Sequence, residues 1–212
     1  MNPLDEAIKS ASLDVRVEPS AAKRLRAFVE LRTKWSKTHN LAGPQALSAP
    51  WRIDVVDGLA VGAVMDPTLP LVDVGAGGGV PGLVVAALSP DLPVYLVEPR
   101  AKRAAFLRTA AHALDLVNVK VLRARWPLKR SVGPSQVVSR AVVSPARWPS
   151  LALEGGQDVV GVIRMLAAER PDMDATTLVC RKTLDYGRAI DGLRRVEYWA
   201  RPMSKARSET EE

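Results

Sequence analysis

The sequence has 212 residues, of which 47% are hydrophobic and 25% are charged, with 14 Gly and 16 Pro. This composition excludes a disordered tail, a collagen-like repeat and a coiled coil, and the length suffices for one self-sufficient core. Because the chain has one cysteine, Cys180, and two histidines, we predict no disulfide and no metal site. The acidic N-terminus and the absence of a long apolar run predict a cytoplasmic protein without a membrane segment.

Positive charge is concentrated in one part of the chain. The formal net charge is +7, and residues 100–147 contain eleven Lys or Arg against a single acid, Asp115. A patch of this kind attracts polyanions and releases counterions when it binds phosphate. Nucleic acid is therefore a candidate partner, and a solvated arginine-rich surface is the alternative.

Residues 1–66 are predicted to form a helical N-terminal extension. A short helix covers residues 4–13, and Pro19-Ser20 supplies the N-cap of a longer helix. Residues 40–50 form a connection, and Pro50 begins a third helix that runs to Val64. The packed face of the long helix recurs at three- and four-residue spacing, at Leu25, Phe28, Val29, Arg32 and Trp35.

From Leu69 onward, short apolar runs alternate with helical patterns, which predicts βα units on a parallel sheet over residues 67–202. Residues 203–212 hold no apolar pattern and are predicted to be a flexible tail. The predicted strands cover residues 69–74, 94–98, 119–123, 136–139, 159–163, 177–180 and 196–199. The predicted helices cover residues 81–88, 101–114, 145–153 and 164–169.

A glycine-rich turn follows the first predicted strand. Asp73 ends the strand, and Gly75-Ala76-Gly77-Gly78-Gly79-Val80-Pro81-Gly82 leads into a helix. Such glycines allow a sharp turn and let a ligand touch bare backbone. Glu98 ends the next strand, where a carboxylate can accept hydrogen bonds from both ribose hydroxyls of a nucleoside. The pattern fits both NAD and S-adenosylmethionine (SAM), and it excludes a Walker loop because no Gly-Lys-Ser/Thr follows.

Further motifs surround this loop in a fixed order. They are the run from Phe28 to Leu41, Asp57-Gly58-Leu59, Lys102-Arg103-Ala104-Ala105-Phe106-Leu107 and Ser139-Arg140-Ala141. Together with the Pro-Gly end of the glycine loop, these residues resemble the bacterial 16S rRNA guanine-N7 methyltransferases of the RsmG/GidB type. The resemblance covers residues 28–141.

The resemblance implies an α/β fold: a class I SAM-dependent methyltransferase, Rossmann-like, with a mostly parallel seven-stranded sheet and a helical extension. It implies transfer of a methyl group from SAM to N7 of a guanosine in 16S rRNA of the small ribosomal subunit. It also implies cofactor contacts at Gly75, Val80, Ala124, Arg125 and Arg140. Arg140 is further expected to act in catalysis, at the meeting of cofactor and substrate. With the loop residues, the predicted cofactor set is Asp73, Gly75, Gly77, Gly79, Val80, Glu98, Ala124, Arg125 and Arg140.

Several basic residues are candidates for binding RNA phosphates rather than for catalysis. They are Arg123, Lys129, Arg130 and Arg147. Trp126, beside Arg125, is the best candidate for stacking on a base. Cys180 is predicted to be a buried core thiol, which argues against a cysteine-dependent methylation.

Four positions depart from the family pattern. Asp54 stands where the family usually has His, Gly58 where it has Ser and Arg125 where it has Glu, and a Lys-Gly after the fifth strand is not found. Two alternatives therefore stay open: a SAM-dependent methyltransferase acting on another RNA or a small molecule, and a non-catalytic RNA-binding paralogue. Nothing in the sequence demands a dimer, so a monomer is expected.

Overall fold

The computed structural model describes residues 2–167, 173, 177–187 and 192–202. The strands within these ranges form one seven-stranded sheet. The strand order is β3-β2-β1-β4-β5-β7-β6. Strands β1 to β5 pair in parallel, whereas β7 runs antiparallel to both β5 and β6. The predicted mostly parallel seven-stranded sheet is therefore confirmed. The strands are β1 Leu71–Val74, β2 Val94–Val97, β3 Val119–Leu122, β4 Ser135–Val138, β5 Val159–Leu166, β6 Val179–Tyr186 and β7 Arg194–Ala200.

Helices precede the sheet and connect its strands. The extension predicted over residues 1–66 is helical, and its last helix follows directly on a π-helical turn at Trp51–Val55. None of the helices in the described ranges is long and apolar enough to cross a membrane. The helices are α1 Pro3–Ser10, α2 Pro19–Ser36, α3 Pro44–Ser48, α4 Val56–Val64, α5 Gly82–Leu88, α6 Ala101–Ala113 and α7 Trp148–Leu153.

One hydrophobic core joins the extension to the sheet. Leu25 and Phe28 of α2 and Leu59 of α4 are buried in the same cluster as Leu71 of β1 and Leu83 of α5. The central strands β1 and β4 are buried on both faces, as is typical of a parallel sheet covered by helices on two sides. The extension is thus held against the sheet by apolar packing, which fixes its position beside the carboxyl ends of the strands.

Some local predictions were wrong. The predicted helix over residues 164–169 fails at its start, because residues 164–166 continue β5 and pair with β7; residues 168 and 169 lie outside the described part. Residues 44–48, predicted as connection, form α3. The N-cap of α2 is Glu18, and Pro19 takes the first helical position, which suits its fixed φ and its missing N–H. The predicted tail, residues 203–212, lies outside the described residues.

Cys180 does not lie in the core. It sits on β6, an edge strand whose residues are mostly exposed, and its side chain is only half-buried. The sequence predicted a strand at residues 177–180 with Cys180 buried in it, but β7 inserts between β5 and β6 and places β6 at the edge. Burial raises the pKa of the Cys180 thiol above its usual value. The thiol does not line the cavity that opens at the carboxyl ends of β1 to β4.

Candidate cofactor and active site

A cavity of about 590 Å³ opens at the carboxyl ends of β1, β2, β3 and β4. This is the edge at which open α/β sheets bind ligands. Most of the sequence-predicted cofactor residues meet here, although the strands that carry them are far apart in sequence. The predicted residues that line the cavity are Gly75, Gly77, Val80, Glu98, Ala124, Arg125 and Arg140.

The glycine loop forms the floor of the cavity. Its start is anchored to β2, because the backbone N–H groups of Gly75 and Ala76 both donate to the carbonyl of Val97, at 2.8 and 3.1 Å. Gly75 has φ of +72°, and a Cβ there would lie 2.3 Å from Val142 Cγ2. A side chain at this position would both strain the backbone and fill the cavity.

Glu98 lies at the end of β2 with only 3% of its surface exposed. Its Oε2 accepts a hydrogen bond from the backbone N–H of Gly77 at 3.1 Å, and its Oε1 accepts one from that of Arg100 at 2.8 Å. A carboxylate has about four acceptor positions, so two remain for a ligand. The carboxylate is thus fixed by backbone and is suited to accept hydrogen bonds from a pair of hydroxyl groups.

Asp73 and Gly79, both predicted to contact the cofactor, do not line the cavity. The Asp73 carboxylate is fully buried and accepts a hydrogen bond from the backbone N–H of Gly82 at 2.8 Å, which ties β1 to the start of α5. Burial raises the pKa of Asp73 to about 7. Gly79 faces the core, where a Cβ would collide with Leu83. Asp73 and Gly79 therefore support the glycine loop from its core side and do not face the cavity.

The N-terminal extension forms one wall of the cavity, a contribution that sequence reasoning missed. Residues 40–43 line the cavity, and Arg103 Nη2 of α6 donates to the carbonyl of Asn40 at 2.8 Å. A Cβ on Gly78 would lie 2.5 Å from the carbonyl oxygen of Leu41, so the loop and this wall are in close contact. The segment between α2 and α3 looked like a simple connection, because its role depends on a long-range contact.

Arg140 is held by two carboxylates from the extension. Its Nη2 forms an ion pair with Asp54 Oδ1 at 2.6 Å, and its Nη1 donates to Asp57 Oδ2 at 3.0 Å. Burial by itself would lower the pKa of Arg140, but the two carboxylates together hold it above its usual value. Arg140 therefore enters the cavity as a fixed cation with both Nη atoms engaged.

Asp54 also pairs with Arg32 of α2, whose Nη1 donates to Asp54 Oδ2. Arg32 is only 3% exposed and lines the cavity, and it too was missed as a site residue. This geometry suits a carboxylate at the position where the family pattern has His, because two guanidinium groups face Asp54 and it forms an ion pair with each. Burial lowers the pKa of Arg32, and the Asp54 carboxylate opposes that shift.

Asp57 extends this network to the antiparallel end of the sheet. Its Oδ1 accepts hydrogen bonds from the Tyr186 hydroxyl at 2.8 Å and from Arg194 Nη1 at 2.6 Å. The Arg194 guanidinium also lies over the Tyr186 ring, 4.9 Å from its centroid. Burial raises the pKa of the Tyr186 hydroxyl well above its usual value, so it remains a hydrogen-bond donor.

β5, near which the Lys-Gly of the family pattern was not found, carries Arg164, which is 2% exposed and pairs through Nη1 with Glu197 Oε2 of β7 at 3.1 Å. Arg164 does not line the cavity. At the opposite wall, Arg125 is exposed and lines the cavity where the family has Glu, while Trp126 donates its indole N–H to the carbonyl of Leu151 at 2.8 Å.

The predicted RNA-binding residues are all exposed but are not gathered in one place. Arg123 follows the carboxyl end of β3, and Arg147 precedes α7 on the segment that leaves β4. Lys129 and Arg130 lie beside a small cavity lined by Ser135 and Val159, where β4 and β5 begin. Two of the four therefore belong to the segments that start at the cofactor edge.

A family model described as rRNA small subunit methyltransferase G (GidB) matches residues 21–170. The chain belongs to this family. The predicted family resemblance is therefore confirmed. A relative of that name from Neisseria gonorrhoeae is 33% identical over 149 residues, which is 69% of this chain and 72% of the relative. One from Chromohalobacter salexigens is 33% identical over 181 residues, covering 82% and 86%. The match to one from Dichelobacter nodosus, also 33% identical, spans 64% of that protein.

Solved structures of two other proteins share the fold of this family member. A mutant of MtNAS in complex with S-adenosylmethionine has a TM-score of 0.53 at 15% identity, covering 83% of this chain and 73% of that one. TrmK from M. capricolum, solved with S-adenosyl-homocysteine, has a TM-score of 0.52 at 8% identity, covering 72% and 71%. With the strand order above, these similarities confirm the predicted class I methyltransferase fold.

Proposed function

We propose that this protein transfers a methyl group from SAM to N7 of a guanosine in 16S rRNA of the small ribosomal subunit. The observation that carries the proposal is the cavity at the carboxyl edge of the sheet, where the glycine loop, Glu98 and Arg140 meet in a member of the rRNA small subunit methyltransferase G family.

The residues that line the cavity fit SAM. Its volume lies within the range of small-molecule sites. Gly75 leaves room that a Cβ would fill, and the fixed carboxylate of Glu98 has acceptor positions left for two ribose hydroxyls. The backbone at Ala124 and Arg125, on the segment that follows β3, would frame the adenine. Because Arg125 cannot accept a hydrogen bond from the adenine amino group, that contact falls to a backbone carbonyl.

The proposed reaction needs no general base, because guanine N7 carries an in-plane lone pair. When bound, SAM supplies a methyl group on a positively charged sulfur. The task of the chain is to hold the guanine in line with that bond and to exclude water. Arg140, fixed by Asp54 and Asp57 at the carboxyl end of β4, uses one N–H of each Nη atom for these carboxylates, and the second N–H on each Nη is left to orient the base by donating to its carbonyl oxygen.

RNA is the macromolecular substrate that the charge distribution favours. Arg123 and Arg147 belong to segments that begin at the cofactor edge, and Arg100 and Arg103 line the cavity itself. Exposed cations around an active site position a polyanion by contacts to its phosphates. The target guanosine would then enter a cavity bordered by positive charge.

The test is methyl transfer from labelled SAM to small ribosomal subunits that lack the guanine-N7 mark, followed by mapping of the modified base. We expect label at one guanosine N7 in 16S rRNA. A Gly75→Asp variant should be inactive, because the new side chain fills the cavity. The matched control is Gly133→Asp, at a glycine with a similar φ of +89° but with open space around its Cβ position; it should remain active.

The same assay on total RNA and on naked rRNA distinguishes the alternatives. Label in another RNA would contradict the assignment of 16S rRNA as the substrate but would still support a SAM-dependent methyltransferase activity. Binding of RNA without binding of SAM would indicate a non-catalytic paralogue, in which Arg125 in place of Glu has abolished the affinity for SAM.

A further inference from the structure

We propose that Arg32 binds the carboxylate at the amino-acid end of SAM, an assignment that rests on the proposed function and deepens it. Arg32 belongs to the N-terminal extension and to the Phe28–Leu41 run, in which no cofactor contact was predicted. It nevertheless lines the cavity as a buried cation.

The hydrogen bonds of Arg32 leave part of its guanidinium without a partner. Its Nη1 donates to Asp54, whereas its Nε is buried and has no acceptor among the described residues. This Nε lies against the glycine loop, since a Cβ on Gly78 would be 2.9 Å from it. A buried N–H group without an acceptor is costly, so the guanidinium is under-satisfied, and an anionic ligand that approached it from the cavity would compensate its charge.

The charges around Arg32 do not balance. Within the described part of the chain, the ion-pair network contains three guanidinium groups, those of Arg32, Arg140 and Arg194, but only two carboxylates, those of Asp54 and Asp57. The nearby buried carboxylates of Asp73 on β1 and Glu98 at the end of β2 accept hydrogen bonds from backbone N–H groups of the loop region instead. A buried network with one uncompensated cation is suited to receive one negative charge.

Arg32 is the member of the network with capacity for that charge. Arg140 already has one Nη atom on Asp54 and the other on Asp57. Arg194 is engaged with Asp57 and with the carbonyl oxygens of residues 52 and 53, and it does not line the cavity. Arg32 therefore has the combination of burial, an unpartnered N–H and a place on the cavity wall.

The position of Arg32 matches the amino-acid end of the cofactor rather than its nucleoside end. Glu98 and Ala124, which would hold the ribose and adenine, follow β2 and β3. Arg32 lies beside Gly78 and, through Asp54, beside Arg140, which follow β1 and β4. Neighbouring strands are about 4.8 Å apart, so an extended ligand reaches from the nucleoside side to Arg32. The carboxylate is the only anionic group of SAM.

The test compares SAM with decarboxylated SAM, which keeps the adenosine, the sulfonium and the ammonium group, by calorimetric titration. We expect the unmodified protein to bind SAM about tenfold to hundredfold more tightly than the decarboxylated form, as for a hydrogen bond between charged groups. Arg32→Met should lose that preference and keep its affinity for the decarboxylated form. The variant leaves two cations against two carboxylates in the network, so we expect it to fold.

Arg26→Met is the matched control, because Arg26 lies on the exposed face of the same helix. It should retain the preference of the unmodified protein. If Arg32→Met binds SAM as tightly as the unmodified protein, or loses both ligands equally, the assignment is wrong. If the unmodified protein binds neither ligand, the proposed function fails, which is a different result from failure of the Arg32 assignment alone.

Discussion

Gly58 of α4 packs directly against Val84 of α5. A Cβ on Gly58 would lie 2.4 Å from both Cβ and Cγ1 of Val84, closer than two non-bonded carbon atoms can approach. Both helices belong to the core that joins the extension to the sheet. The absence of a side chain at Gly58, where the family usually has Ser, is therefore required by this pair of helices.

This contact predicts opposite effects for two glycine substitutions in α4. Gly58→Ala forces the helices apart and should lower the free energy of unfolding by about 1–3 kcal/mol. Gly62→Ala places its Cβ 3.5 Å from Leu88 Cδ1, an ordinary contact, and should raise it by up to about 1 kcal/mol through helix propensity. Urea denaturation of the two variants measures both changes. Equal changes in the free energy of unfolding for Gly58→Ala and Gly62→Ala would show that helix packing does not decide the sign of the change.

Tyr186→Phe tests the link between the extension and the antiparallel strands. The variant removes the hydrogen bond to Asp57, whose carboxylate stays buried between Arg140 and Arg194. We expect a loss of about 1.5–3 kcal/mol in the free energy of unfolding, as for a hydrogen bond to a charged group. Tyr95→Phe, at a half-buried tyrosine of β2, is the control and should change stability less. An unchanged unfolding midpoint for Tyr186→Phe would contradict the stabilising role of this bond.

Arg123 and Arg147, which belong to segments that start at the cofactor edge but do not line the cavity, should contribute to RNA affinity without affecting SAM binding. Replacing Arg123 and Arg147 by Gln should weaken RNA binding at low salt. The slope of log K against log salt should fall by about 1.4 for a single-stranded target, or about 1.8 for a duplex, if each residue contacts one phosphate. Binding at several salt concentrations measures the slope, and calorimetry with SAM provides the check on the cofactor site.

The matched comparison is the double replacement of Lys129 and Arg130 by Gln, near the start of β4 and β5. A larger effect there than at Arg123 and Arg147 would place the RNA path on the other side of the molecule.

Local patterns in the sequence sufficed to predict the strands and the cofactor edge. All seven strands are present, because each begins in or contains apolar residues near turn residues, although the prediction covered only the first two residues of β6. Glu98 and the glycine loop meet as the strand order requires. The extent of β5 and the edge position of β6 could not be predicted, since both depend on the insertion of β7 between them. Arg32 and the wall at residues 40–43 were missed for a similar reason: their roles come from contacts with residues far away in sequence.

The buried carboxyl group of Asp73 should make stability depend on pH. Burial raises its pKa to about 7 in the folded protein, whereas an unfolded aspartate titrates near about 3.9. Between these values the folded state binds the additional proton, so the contribution of Asp73 is fully present below pH about 4 and is lost as the pH rises through about 7. Asp73→Asn removes this titration and keeps an acceptor for the Gly82 N–H.

The stability of Asp73→Asn relative to the unmodified protein should therefore increase as the pH is raised from 5 to 7. The increase is at most about 1.4 kcal/mol per pH unit for one proton. Urea denaturation at several pH values measures the difference, and any constant offset caused by the amide cancels from its slope. Parallel stability curves for the two proteins would mean that Asp73 is already ionised at the lower pH. Its hydrogen bond from Gly82 would then outweigh the cost of burying the charge.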